Sequence, residues 1–242
     1  MPPRSRALAR LAAFAVVLAG TLPARAIEGG TLARPDRLTR ATVGVGTIIQ
    51  GEDRISVNRC TGSLIAPDLV LTAGHCVRDN PLASAVVLYD GSRALRPPIP
   101  VAAVARYDVV ASDDLPAEYG SLVQLSLDTA VLRLAAPVRG RQPLRLARST
   151  RPPAALRVAG SGLSSEGTGT LKTTRLVPLA YTSTGLLIAR TGGSEICSGD
   201  SGGPVVADGP AGPVLWGVAS AVLTRNPPCG RVVVVAPAAP LF

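Results

Sequence analysis

The stretch CSGDSGGPVV, residues 197–206, decides how this chain is read. Gly199, Gly202 and Gly203 surround Ser201. Glycines let a backbone bend sharply and approach a second chain closely. The N–H groups of Gly199 and Ser201 can therefore converge on one point. Such a pair stabilises the oxyanion of an acyl-transfer intermediate, and losing one donor of this kind typically costs roughly 2.7–4 kcal/mol of barrier.

Gly-Asp-Ser-Gly-Gly also satisfies Gly-x-Ser-x-Gly, the nucleophile elbow of parallel α/β hydrolases. That arrangement needs the order Ser, acid, His. Here the sole histidine, His75, precedes the serine, and no strand–helix alternation is visible. The elbow reading fails on both counts.

His75 lies in CTGSLIAPDLVLTAGHC, residues 60–76. If an imidazole is the general base for Ser201, His75 is the only candidate; the competing reading is a lone structural histidine. A third group must hold the imidazole's tautomer and stabilise its cation. Asp200 adjoins the nucleophile and is poorly placed to reach the far ring nitrogen. Asp128, in LDTAVLRLAAPV, precedes an apolar strand that would bury it beside the histidine. Asp108, Asp113 and Asp114 read as solvated loop residues.

Around these motifs, short apolar runs recur between Gly and Pro: TVGVGTII, LVLT, SAVVLYDG, PVAAV, AVLRLA, LRVAG, GLLIAR, GPVVA, WGVASAV and RVVVVA. Each is strand-length, and no 3.6-residue periodicity competes beyond the N-terminus. The pattern predicts an all-β protein, barrel or sandwich. LRLAAPVRGRQP reads as a crossing segment between two halves, with a seam near residue 137: an N-terminal half over 27–136 and a C-terminal half over 137–242.

The 242 residues carry a formal charge of +9 from 25 basic and 16 acidic residues. Arg4, Arg6, Arg10 and Arg25 precede residue 27 and no acid does, so removing them leaves 21 − 16 = +5. Without basic runs or clustered aromatics, nucleic-acid binding is not expected. Residues 1–26 read as a cleaved leader: three arginines, the apolar run LAAFAVVLAG, then Ala24-Arg25-Ala26 with small residues where a signal peptidase reads. The run is too short for an ordinary bilayer span. A secreted or periplasmic protein, off the membrane once the leader is removed, is the expectation. Cys60, Cys76, Cys197 and Cys229 then meet oxidising conditions; disulfides are expected in one of three pairings, and a zinc site is the rival.

LTAGHC, DTAVLRL and CSGDSGGPVV, in that order, together resemble the histidine, aspartate and serine motifs of the trypsin-like, chymotrypsin-fold serine proteases, and the chain is read as a bacterial secreted member. GVASAV resembles the substrate-binding strand of that family, and VAGSG its Gly-Trp-Gly turn, with Ser161 in place of tryptophan. The resemblance implies two antiparallel six-stranded β-barrels with the site in the cleft between them. It implies the disulfides Cys60–Cys76 and Cys197–Cys229. It implies Ser201 as nucleophile, His75 as base, Asp128 as its orienting acid, Gly199 and Ser201 as the oxyanion hole, and Ser220 as a donor beside Asp128. Protein or peptide substrates follow, with a protein inhibitor as a conceivable further partner, a monomeric state, and no cofactor or metal.

Three departures stand out. Glu195 occupies the position six before the serine where trypsin-like members carry the pocket-floor aspartate; a carboxylate there would favour Arg or Lys at P1, the residue before the cleaved bond. Ala221 and Val222 replace a tryptophan and a glycine of the pocket wall, and a second pocket glycine is lost near Val233, which points instead to small aliphatic P1 residues. The C-terminus, VVVVAPAAPLF, stops where the family begins a closing helix, and Pro237 and Pro240 oppose one. An active endopeptidase is the leading reading; a silent protease-shaped binding protein and a non-peptidase acyl hydrolase are the others.

Ile27-Glu28-Gly29-Gly30 resembles the start of an activated member of the family. There the new terminal ammonium pairs with the aspartate before the nucleophile, here Asp200. Activation ordinarily follows Arg or Lys, but Ala26 precedes Ile27. Export and activation are therefore expected to be a single cut.

Overall fold

The computed structural model describes residues 26–51, 54–77, 81–107, 127–148, 154–162, 169–224 and 229–238. Residues 1–25 of the leader, Asp108, Asp113, Asp114 and Pro240 lie outside them.

Six strands close the first barrel: β1 (Thr42–Gln50), β2 (Ile55–Ala66), β3 (Leu69–Thr72), β4 (Ala83–Asp90), β5 (Ile99–Arg106) and β6 (Ala130–Leu134). They run β1-β2-β3-β6-β5-β4, and β4 pairs back onto β1, Val43 opposite Leu88. The second barrel comprises β7 (Leu156–Gly160), β8 (Lys172–Tyr181), β9 (Leu187–Thr191), β10 (Pro204–Gly209), β11 (Gly212–Leu223) and β12 (Val232–Pro237). Its order is β8-β7-β10-β11-β12-β9, and β9 closes onto β8. All pairings within the two rings are antiparallel. The all-β expectation and its two-barrel form are both met.

The apolar runs become strands because closure gives each an inside. On β1, Val43, Val45 and Thr47 are buried, whereas the end of the strand beyond Thr47 is more open. The unbroken valine run of β12 is buried on both faces, with Val233, Val234 and Val235 all 3% exposed or less. One core gathers Leu64, Val70, Leu71 and Leu132 and continues into Val206 and Leu215 of the second barrel. A second gathers Val158, Leu187, Trp216, Val233 and Val235 around Ile27. Burying each such large side chain stabilises by about 1.5–3 kcal/mol.

Between β6 and β7 the chain crosses over, held where Val138 N–H donates to Pro67 and Leu144 N–H to Leu64. Upstream of the first barrel, Thr31–Leu32 pairs with Lys172 and Thr173 of β8, so the segment starting at Ile27 is carried by the second barrel. Of the C-terminal departure, Pro237 is the last residue of β12. No helix among the described residues is long and apolar enough to cross a membrane.

Candidate active site

β3 ends at Thr72 and runs into a short 3-10 helix, Gly74–Val77, which carries His75. Asp128 precedes β6, the strand paired with β3, so neighbouring strands deliver base and acid to one end of the first barrel. The carboxylate meets His75 twice: Oδ2 lies 2.8 Å from Nδ1, and Oδ1 accepts the His75 backbone N–H at 2.8 Å. From the second barrel, Ser220 Oγ donates to Oδ2 at 2.5 Å. Burial pushes the Asp128 carboxyl up, but the bond and charge of His75, then Ser220 and the His75 amide, outweigh it and hold the pKa below the ordinary carboxylate value. Asp128 is thus a buried anion aimed at one imidazole nitrogen. Asp128→Asn is expected to keep the fold and lower kcat about 10⁴-fold, because the amide can donate and so favours the wrong tautomer. Peptide turnover beside a thermal melt checks this.

Ser201 sits in the turn before β10. Its carbonyl accepts the Thr61 N–H from β2 at 2.8 Å, and the Cys76 sulfur lies 3.7 Å from the same oxygen. The residue after His75 therefore touches the serine's own backbone. Gly199 and Gly202 have φ of 91° and 80°, in the left-handed region that favours glycine. A Cβ on Gly202 would lie 2.1 Å from Thr72 Oγ1 and 2.2 Å from the Thr61 carbonyl, so only glycine lets the serine loop press on the first barrel. The turn is closed by Asp200 N–H to Cys197 O at 3.0 Å and Gly203 N–H to Asp200 O at 2.9 Å. Among the described residues, the Gly199 and Ser201 N–H groups donate to no protein acceptor.

Asp200 is fully buried. Its Oδ2 accepts Ile27 N at 3.0 Å and Cys197 N–H at 2.8 Å, and Oδ1 accepts Gly162 N–H at 2.9 Å. Burial pushes its pKa up to about 6, with the three amides and Lys172 pulling the other way. Gly160 is required here, since a Cβ would lie 2.3 Å from Oδ1. Ile27 is wholly buried and, unlike the glycines, is a β-branched residue at φ 32°.

The disulfides are Cys60–Cys76, behind His75, and Cys197–Cys229, joining the serine loop to the segment before β12. One pairing of the three is thereby selected. Cys60, His75 and Cys76 bring ligand-type atoms within 4.8 Å, but both sulfurs are in the bridge and neither offers a thiolate to zinc.

Beside Ser201 lies a cavity of about 90 Å³, lined by Ile196, Ser198, Ala219, Ser220, Ala221 and Val222 as well as the serine. Val222 faces Val233 across the β11–β12 ladder. Glu195 does not line this cavity. Its amide bonds the Glu28 carbonyl at 2.8 Å, and its half-exposed carboxylate lies 3.4 Å from Arg231 Nε. Strand alternation explains the outcome: one residue along, Ile196 is the side chain that turns inward. Ile196 and Ala219 were not singled out from the sequence.

Two barrels, with an acid–imidazole pair from one and a serine in a glycine-rich turn from the other, define the class of chymotrypsin-fold serine hydrolases. A family model described as Trypsin matches residues 47–239, and the chain belongs to that family of serine proteases. Among solved structures, HL collagenase is similar at 22% identity and a TM-score of 0.63, over 88% of this chain and 94% of that one. The protease Anisep from Arthrobacter nicotinovorans is similar at 14% identity and a TM-score of 0.63, over 85% and 93%. At these identities the likeness speaks for the fold alone.

Proposed function

We propose that this chain is a secreted endopeptidase that cleaves after small aliphatic residues through an acyl-enzyme. Ser201 Oγ attacks the scissile carbonyl and His75 Nε2 takes its proton. Asp128 keeps the Nδ1 proton in place and stabilises the imidazolium, and the Gly199 and Ser201 amides hold the oxyanion. His75 then gives the proton to the leaving amine; water repeats the sequence to release the acid. The observation that carries this reading is the pair of contacts between Asp128 and His75, reinforced by Ser220.

A fluorophosphonate probe should label the mature protein and spare Ser201→Ala, with turnover of peptides as well as esters. No labelling of the mature protein would leave a silent binding protein; ester turnover without peptide turnover would leave an acyl hydrolase.

The small cavity supports the P1 assignment. Ile196 and Val222 line it in place of Glu195, and Val222 faces Val233, which leaves an apolar wall suited to a short aliphatic side chain and no carboxylate to hold Arg. Val222→Gly is expected to raise kcat/KM for Leu or Phe at P1 by about 10- to 100-fold relative to Ala, the usual span for a few methylenes of space. A P1-varied peptide set reads this. Strong Arg cleavage lost in Glu195→Gln would overturn it.

The strain at Ile27 supports a cut before that residue. A β-branched residue at φ 32° costs on the order of 1–3 kcal/mol. Breaking the Ala26–Ile27 bond abolishes that torsion and turns the nitrogen beside Asp200 into an ammonium. Export and activation are then one event, and the secreted protein starts at Ile27.

A further inference from the structure

One residue outside the triad reaches both residues of the oxyanion hole. Thr61, on β2 and fully buried, donates its N–H to the Ser201 carbonyl at 2.8 Å and its hydroxyl to the Gly199 carbonyl at 2.8 Å. We propose that Thr61 is a positioning residue for the oxyanion hole, held in its working orientation by the buried N–H and hydroxyl of Ser161. The proposal rests on the peptidase reading above.

A threonine hydroxyl has one proton and two acceptor sites. The Gly199 carbonyl can only accept, so the Thr61 proton points there. The acceptor sites are met by Ser161, through its N–H at 2.9 Å and its hydroxyl at 3.1 Å. Ser161 must then donate its hydroxyl proton to Thr61. Each proton in the chain Ser161, Thr61, Gly199 thus has one allowed direction. Gly44, opposite Thr61 on β1, makes the room, since a Cβ there would lie 2.9 Å from the Tyr89 oxygen. Ser161 is the residue that replaces the tryptophan of the turn.

The anchor acts on the peptide between Gly199 and Asp200, whose other end is fastened by Asp200 N–H to Cys197 O at 3.0 Å. Gly199, at φ 91° with no side chain, otherwise has wide freedom to rotate its own N–H away from the substrate. Oxyanion donors work because they are already aimed before charge develops.

The test compares wild type, Thr61→Val, Thr61→Ser and Ser161→Ala in the mature protein. Valine keeps shape and the backbone contact but removes the hydroxyl. For a peptide amide, kcat of Thr61→Val should fall about 10- to 100-fold with KM within about 3-fold, part of the 10²–10³ lost with a whole donor. Affinity for a peptide aldehyde, whose adduct places an oxyanion in the hole, should fall in parallel. Affinity for the matching peptide alcohol should not. Thr61→Ser should stay within about 3-fold of wild type throughout. Unchanged kcat and aldehyde affinity in Thr61→Val, or an equal loss in Thr61→Ser, would overturn the proposal. If Thr61→Val melts below the assay temperature, Ser161→Ala decides: a drop of about 3- to 10-fold in kcat, with alcohol affinity kept, supports it, and unchanged kcat overturns it. Wild type without turnover defeats the peptidase reading itself, a failure seen before any variant is made.

Discussion

Replacing His75 with alanine is expected to lower kcat on a peptide by about 10⁶-fold while leaving the melting temperature near that of wild type. The size follows from the lack of any substitute. His75 is the only histidine of the chain, so no second imidazole can shift into place. Without it, Asp128 retains Ser220 but has nothing to orient, and the Ser201 hydroxyl has no base. The residual rate should come from the Gly199 and Ser201 amides, roughly 10³–10⁴ above water. The effect should also be non-additive: His75→Ala with Ser201→Ala should be no slower than either alone, because the two act in one proton transfer. Single-turnover kinetics on the three variants read this; a double variant slower by the product of the single effects would show that the residues act independently.

Blocking the Ile27 amine is expected to depopulate the active state. A protein that starts one retained residue upstream keeps an amide where the ammonium should be, and its active fraction should fall by about 10²–10⁴, corresponding to roughly 3–5 kcal/mol for a broken buried pair. Asp200→Asn should do the same from the other side. The pH dependence has a definite sign in each form. In the uncut chain the Asp200 pKa is raised to about 6 from 3.8, so the fold favours the protonated acid. That contribution is present below the ordinary value and is lost as pH rises from 3.8 to about 6, roughly 3 kcal/mol in all. In the cut chain the ammonium supplies the missing countercharge and that loss is removed. Its own pKa, ordinarily about 7.7–8.0, is raised by the pairing, so activity should hold through neutral pH and decline in alkali. Melting curves of cut and uncut protein should therefore diverge more at pH about 7 than at pH about 4.5. An equal difference at both would rule out Asp200 as the partner.

Much of the fold was legible because strand-length apolar runs punctuated by Gly and Pro have few stable alternatives to closing on themselves. β8 was not. Lys172–Tyr181 carries Pro178 and leaves Val177, Leu179 and Tyr181 exposed, and its ladder with β9 shifts register between Pro178 and Ala180. It is a strand because β7 and β9 flank it. The triad candidates were legible because nucleophilic chemistry admits few residue types, and a single histidine left no choice. Glu195, placed by the resemblance on the pocket floor, does not line the cavity beside Ser201. Counting six residues back from Ser201 locates a backbone position, and the aim of its side chain depends on Arg231 and on the pairing of Ile196 with Gly230.

The sequence by itself determined the all-β class and the candidate triad, because short-range periodicity and the scarcity of nucleophile, base and acid are local properties of the chain. Only the tertiary structure decided the size of the pocket, the outward turn of Glu195, the φ of Ile27 and the clamp of Thr61 on Gly199. Those contacts join residues as far as 173 positions apart. Hydrogen bonds and close packing operate within a few ångströms, and only the closing of two barrels brings such distant atoms into range.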